Sequence, residues 1–434
     1  MKKMVIAMLM IAMVAFCAAA QGKTTLNVLY YIDATQAGYD VDLGIWAKFS
    51  KDNPDITVVK EELFNEPFHQ KMQAYIASGN LPDVFYMWPS GRSMMIHENK
   101  LAKDLNVLLG KEYLSNFVPS AIDPKNQGGN YIAEIPQSFT YTTTVYVNKK
   151  LLADNGFDLP KTYADLKKMV PKLKAKGIQV MSLPNKDLWP MQSCLFSTVS
   201  GRLVGDKFID DVKAGKAKFT DQAFVDALEF VETMYKDGVL AREGNQIGYG
   251  EGPGLFASGK SAIFVDGDWR VGAFITDKAS GVALITPKAQ ESDFVITNFP
   301  AIPGEKNPGL VSAIAGVGYG VSATIPAGSA KEAAAVRLMK YLYSPEVQKL
   351  RLEQGAYIPT LKGVKSDKVE PLTTKLAAYY STIPKTGYVL DGVLDPSVYN
   401  VLNNGLQALG LGTTTPLAVA SDMQKAMDAW RTVK

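Results

Sequence analysis

The chain has 434 residues, 47% of them apolar and 21% charged, a balance that suits a soluble globular protein long enough for two domains. Lys and Arg number 46 against 43 Asp and Glu. Near-neutrality leaves no basic field for nucleic acid and no acidic tail. His69 and His97 share no ligand spacing with other residue types, so no metal site and no cofactor are expected.

Lys2 and Lys3 precede an apolar run from Met4 to Ala20, and Gln21-Gly22-Lys23 restores polarity. This is the pattern of a secretory signal peptide over residues 1–20, with Ala18-Ala19-Ala20 offering an A-x-A cleavage site. A retained anchor is the alternative, but the run is short for a membrane span. Val14-Ala15-Phe16-Cys17 partly matches a lipobox, which makes lipidation of Cys17 a second expectation; Phe16 departs from the small residue usual there. Cys194 is the other cysteine, so no disulfide framework forms within the exported chain, and a buried inert thiol is expected.

In chain order, Leu26–Tyr31 reads as a buried strand, and Asp33 to Tyr39 as a polar loop. A helix with Leu43, Trp46, Ala47 and Phe49 on its apolar stripe follows, stopped by Asn53-Pro54, and Trp46 is expected in the core. Ile56–Val59 is the next strand, Phe68–Ala77 the next helix with Gly79 beyond it, and Leu81–Tyr86 a third strand. Strands alternating with helices indicate an α/β domain with a largely parallel sheet. A second run of units begins near residue 145. Thr162 and Asp165 predict a capping box, Pro171 a kink, Thr220 a helix cap, Ser329 and Glu332 another box, and Ser344-Pro345-Glu346 a further helix start. The absence of a low-complexity linker implies that strands cross directly between two lobes.

Gly254, Gly259, Lys260 and Ser261 satisfy the spelling of a phosphate-binding loop. That loop needs a buried strand before the glycines and a helix after them, so that backbone N–H groups meet phosphate. Here Gly248–Pro253 cannot be a core strand, and Ala262–Val265 after the Lys-Ser is a β-rich run. Nucleotide binding is therefore not expected. Gly316-Val317-Gly318-Tyr319-Gly320 lacks the dinucleotide spacing, and there is no G-x-S-x-G elbow. A pair of hydrolytic carboxylates drawn from distant positions stays open by pattern.

Four blocks in order resemble the family 1 extracellular solute-binding proteins, the maltose-binding-protein-like receptors of ABC importers. They are Phe68–Val84, with its Ser78-Gly79-Asn80-Leu81-Pro82-Asp83 turn; Ile135–Leu152 running on to Leu159–Leu166; Phe256–Phe264 with Gly267-Asp268-Trp269; and Ala333–Glu346 with Gly355 and Pro359. The resemblance implies a two-lobed α/β periplasmic binding protein fold of type II with an interlobe cleft. It implies lobe 1 from 24–140 plus 312–380, and lobe 2 from 141–311 plus 381–434. It also implies a non-enzymatic, monomeric receptor, periplasmic or otherwise extracytoplasmic, that delivers a sugar or oligosaccharide to a membrane permease.

Sugar capture needs flat aromatic faces and fixed polar groups. Trp269 matches the family's stacking tryptophan in position, and Asp268 beside it is a hydroxyl acceptor or a turn residue. Trp88, Trp189, Tyr141, Tyr357 and Asp33 complete the candidate ligand-binding set, each at a strand end, a crossover or a loop. Many maltodextrin-type relatives carry an acid on the crossover strand, whereas Ile135–Ala153 has none, which puts maltose itself in doubt. A charged solute (polyamine, peptide or sugar phosphate) on the same fold is the near alternative, with Arg92 or Arg270 as its reader. A secreted carbohydrate-active hydrolase is the distant one.

Overall fold

A computed structural model of the protein describes residues 23–32, 38–355 and 357–433. The leader, Cys17 and Asp33 lie outside the described residues. The strands are β1 (Thr24–Tyr31), β2 (Ile56–Leu63), β3 (Val84–Met87), β4 (Glu134–Pro136), β5 (Phe139–Tyr141) and β6 (Thr144–Asn148). They continue as β7 (Gln179–Ser182), β8 (Ser261–Asp266), β9 (Phe294–Thr297), β10 (Val311–Ala315), β11 (Gly318–Val321) and β12 (Thr386–Gly387).

Three sheets result. The first has the order β2-β1-β3-β11-β4, the second β7-β8-β6-β9, and a small third sheet β12-β10-β5 joins them. The sheets are less parallel than the alternation of elements implies: β11 runs antiparallel to β3 and β4, and β6 antiparallel to β8 and β9. The reason is the crossing itself. β10 and β11 carry the chain back from the second sheet, so β11 enters the first from the opposite end.

Each large sheet is buried on both faces, and strand alternation assigns the sides. On β1, Leu26, Val28 and Tyr30 join the core that holds Trp46, Phe49 and Leu338, while Leu29 joins Phe68, Met72 and Ile76 on the other face. On β6, Val145 and Val147 face the helices Gln222–Lys236 and Pro396–Leu411, and Tyr146 faces Phe256, Phe264 and Phe274. Cys194 is a buried free thiol. The helix Pro371–Tyr380 lies beside the second sheet. Its Leu372, Leu376 and Tyr379 pack with Phe256, Phe264 and Phe294, against the second sheet and not the first.

Local signals are mostly obeyed. Thr162 and Asp165 form a full capping box, and Ser344 caps the helix that opens with Pro345. Ser329 accepts from Glu332 N, but the Glu332 carboxylate reaches Gly328 N instead of completing the box. Asp221, not Thr220, stands at the N-cap of Gln222–Lys236. The helix Tyr163–Lys174 runs on through Pro171, which lies in its last turns. The helix Tyr39–Asp52 buries Ile45, Trp46 and Phe49, leaving Ala47 exposed. The phosphate-loop spelling is a helix (Gly252–Ala257), a turn at Gly259 with φ 75°, and then β8, the reverse of a nucleotide site.

β11 lies against β4 so closely that a Cβ on Gly318 would sit 2.0 Å from the Ile135 carbonyl oxygen. Gly318→Ala must push the two strands apart, and overpacking of this kind costs ~1–3 kcal/mol. The expected result is a lower urea midpoint with an unchanged slope; an unaltered midpoint would show that β4 yields freely.

Candidate ligand-binding cleft

A cleft of about 730 Å³ opens between the two large sheets, within the size range of small-molecule sites. Its first wall comes from the C-terminal end of β1 (Tyr30–Ile32), the start of the helix Tyr39–Asp52, Phe64, Tyr86 on β3, Tyr319 on β11, and Arg351, Gln354 and Tyr357. Its second wall comes from Gly250, Pro253, the turn after β8 (Trp269, Arg270, Gly272, Ala273) and the segment from Ile275 to Leu284. Parallel strands deliver residues to such a crevice at their carboxyl ends, which is where Tyr30 and Tyr31 sit.

The first wall is aromatic with one buried cation. Tyr31 stacks on Tyr86 with centroids 5.8 Å apart, and Tyr30 on Tyr319 at 6.3 Å. Arg351, from the helix Pro345–Glu353, pairs with Asp42 at 3.1 Å and donates to Tyr357 Oη at 3.0 Å and to Gln137 Oε1. Burial alone would depress its pKa; Tyr357 and Asp42 outweigh it and hold the guanidinium charged.

The second wall is built on a buried ion pair. Arg270 Nε donates to Asp266 Oδ2 at 2.8 Å, and the Arg270 guanidinium lies 3.7 Å from the Tyr249 ring centroid. Asp266 Oδ1 accepts from Tyr249 Oη at 3.1 Å and from Gly267 N at 2.7 Å. Trp269 Nε1 donates to Tyr249 Oη, and the indole folds back over Gly267, where a Cβ would lie 2.2 Å from the ring. Trp189 packs on Tyr249 at 4.6 Å and on Trp269 at 6.2 Å. The rims of the cleft touch: Gly38 N donates to Asp277 at 3.1 Å, Lys278 pairs with Glu353 at 2.7 Å, and Asn65 donates to Asp187 at 3.4 Å.

Of the residues singled out from sequence, Trp269 and Tyr357 line the cleft from opposite walls. Trp189 backs Trp269 without lining it. Trp88 is half-buried among Tyr31, Phe68, His69 and Tyr86 beside the first wall. Asp268 and Tyr141 meet each other away from the lining, where the Asp268 carboxylate accepts from Tyr141 N at 2.8 Å and Tyr380 Oη at 2.6 Å. Arg92 lies outside the lining, paired with Asp391 at 2.8 Å. Sequence reasoning missed Tyr30, Tyr319, Gln137 and Arg351. Tyr30 carried a signal, an aromatic at a strand's carboxyl end, whereas Arg351 reads as one more cation on a helix. Among the described residues no group of three or more His, Cys, Asp or Glu could hold a metal ion.

Two α/β lobes, joined by crossing strands and enclosing an aromatic cleft, define a solute receptor of the bilobal type. The family model for bacterial extracellular solute-binding proteins matches residues 33–349, and the chain belongs to that family. A multiple sugar-binding protein of Streptococcus mutans is 23% identical over 340 residues, covering 76% of this chain and 74% of that protein. Among solved structures, a chitin oligosaccharide binding protein superposes with a TM-score of 0.81 at 22% identity, over 94% of this chain and 98% of its own. The maltose/maltodextrin-binding domain from Bdellovibrio bacteriovorus, bound to maltotriose, gives 0.72 at 21% identity over 94% and 100%.

Burial pushes the Asp268 carboxyl up from an ordinary 3.8 to about 7, against the hydrogen bonds from Tyr380 and Tyr141 that favour the charged form. A carboxyl whose pKa is raised by folding holds an extra proton in the native state between those values. Its contribution to stability therefore falls as pH rises from about 4 to about 7 and is flat above. Asp268→Asn cannot titrate, so its stability relative to wild type should improve between pH 5 and pH 8. Urea midpoints at the two pH values measure this, and a constant difference would rule the shifted proton out.

Proposed function

We propose that the protein is an exported, non-enzymatic receptor that captures a neutral saccharide in the interlobe cleft and passes it to the permease of an ABC importer. The observation that carries this reading is the pairing of an indole platform, Trp269, with a facing wall of tyrosines across a cleft that also offers fixed polar groups. Flat faces suit the C–H patches of a pyranose, and polar groups at the rim suit its hydroxyls. The relatives support the same class: one is named for multiple sugars, one for chitin oligosaccharide, and one holds maltotriose.

Charge favours a neutral ligand over the charged alternatives. Arg270 is charge-paired with Asp266 and Arg351 with Asp42, so neither brings an unmatched positive charge to the cleft. Arg92 is paired with Asp391. Hydrolysis needs a pair of carboxylates, and of the three aspartates in the described lining, Asp40, Asp42 and Asp277, two are engaged. Asp42 is tied to Arg351, and the backbone N–H groups of Ser280 and Gly38 hold the Asp277 carboxyl below its usual range, the opposite of a general acid. Trp269 and Tyr357 are the proposed direct contacts, with Asp33, which follows the cleft-lining Ile32, as a further one. Trp88, Trp189, Tyr141 and Asp268 support the walls from behind. We assign 24–140 and 312–370 to one lobe, 141–311 and 371–434 to the other, and the first 20 residues to an export signal.

The test is a thermal-shift and tryptophan-fluorescence screen of refolded mature protein. The panel is galactose, maltotriose, xylotriose, chitotriose, glycerol 3-phosphate, glucuronate and spermidine, with Trp269→Ala as control. A ligand at 100 times its Kd should add about 2.7 kcal/mol of apparent stability. A neutral saccharide should shift the wild type, return unaltered, and lose most of its effect with Trp269→Ala. Response to charged solutes alone would overturn the sugar assignment, and turnover of any saccharide would overturn the receptor reading.

A further inference from the structure

Tyr249 lies in the glycine-rich run Gly248–Pro253 and is buried behind the cleft, outside its lining. Yet every part of it is held. Its backbone N–H donates to Asp187 Oδ2 at 2.8 Å, and its ring packs on the Arg270 guanidinium at 3.7 Å and on the Trp189 ring at 4.6 Å. The Asp187 and Trp189 contacts come from a strained turn. Leu188 has φ 71° and ψ −51°, and Trp189 N donates to Asp187 O at 2.8 Å, which is a γ-turn in a region that non-glycine residues avoid. Strain of this kind persists only where surrounding contacts dictate it, and here they converge on Tyr249.

The hydroxyl has a fixed polarity. An indole N–H can only donate and an ionised carboxylate can only accept. Tyr249 Oη therefore accepts from Trp269 Nε1 and donates to Asp266 Oδ1, whose charge is matched by Arg270. The relay runs Trp269 to Tyr249 to Asp266 with no alternative direction. We infer that Tyr249 is the positioning residue of the cleft: it fixes the orientation of the Trp269 indole and so sets saccharide affinity without touching the saccharide. This deepens, and rests on, the reading of Trp269 as the platform.

Tyr249→Phe keeps the ring that Arg270 and Trp189 pack against and removes only the hydroxyl. Two readouts test it, the first without any ligand. The emission of Trp269 is isolated by subtracting the spectrum of Trp269→Phe from wild type, and that of Tyr249→Phe/Trp269→Phe from Tyr249→Phe. With the hydroxyl gone, the Trp269 contribution should shift to the red and be quenched more by acrylamide. The second readout titrates maltotriose, xylotriose and chitotriose. Tyr249→Phe should weaken whichever of them binds by about 10-fold, because an indole no longer held in place must be ordered when the saccharide binds. In the Trp269→Phe background, which has no indole N–H, the same change should cost nothing further. An unaltered Trp269 signal, or an equal loss of affinity in both backgrounds, would overturn the positioning role. Full affinity in Trp269→Ala would instead remove the platform reading, while the ligand-free emission still decides whether Tyr249 orients the indole.

Discussion

The buried pair of Asp266 and Arg270 is the interaction on which the second half of the molecule turns. Both side chains are almost wholly out of water, and an ion in that setting is tolerated only when its partner and its remaining hydrogen bonds are supplied. Asp266 is the last residue of β8, so the strand ends on a charge. The protein answers with Gly267 N, Tyr249 Oη and the Cys194 thiol on one carboxylate oxygen and Arg270 on the other. These partners lie far apart in sequence. Gathering them brings the Gly248–Pro253 run, the π-helical segment Gln192–Phe196 that holds Cys194 and the turn after β8 to one place, and Trp269 emerges from that place into the cleft.

The segments between the lobes are made differently. Where the crossing strands meet the second lobe, Ser312 Oγ lies within 3.0 Å of the hydroxyls of Thr142, Thr143 and Thr198, a buried cluster without a formal charge. Each hydroxyl is both donor and acceptor, so partners can be exchanged without stranding an ion. At the rims the contacts are few: one backbone N–H to Asp277, one amide to Asp187, the Gln354 side chain between Lys278 N and Thr276 O, and the Lys278–Glu353 pair with its half-exposed lysine. Contacts like these contribute little each, because water competes for them. The largely buried Arg92–Asp391 pair also joins the lobes, outside the cleft lining, so it is the rims of the cleft, and not the whole interlobe contact, that are lightly held. A ligand touching both walls has the most leverage there.

How much was legible in the sequence follows from the range of the forces involved. Strand β1, the helix Asn65–Ser78 with its left-handed Gly79, and the caps at Thr162 and Ser344 depend on neighbours within a few residues, and they were readable. Trp269 was readable as the aromatic following a strand and turn. Asp268 lies outside the cleft lining although its neighbour Trp269 is in it, for a simple reason. Asp268–Ala273 is a 3₁₀ turn, in which successive side chains diverge by about 120°, so Asp268 and Trp269 point to different places. The helix Pro371–Tyr380 shows the same limit at larger scale: its apolar stripe announces a buried face without saying which sheet buries it. Arg351 reaches the cleft only because Asp42, Gln137 and Tyr357 converge on it, and none of those contacts leaves a local trace except the nearby Tyr357.

The phosphate-loop spelling shows why residue pattern and residue purpose part company. Of its two glycines, Gly254 has open space where a side chain would go, while Gly259 takes a left-handed φ to turn the chain into β8. The glycines that packing requires fall outside the pattern. A Cβ on Gly252 would meet Pro184 at 2.7 Å and the Phe264 ring at 2.9 Å, and one on Gly267 would overlap the Trp269 indole. Both serve the second wall, the first by letting the helix Gly252–Ala257 close on β8, the second by giving the platform a flat bed. A motif match weighs all its glycines alike. The fold distinguishes them by what lies 2–3 Å away, and that distance makes this stretch the back of a cleft wall instead of a cradle for phosphate.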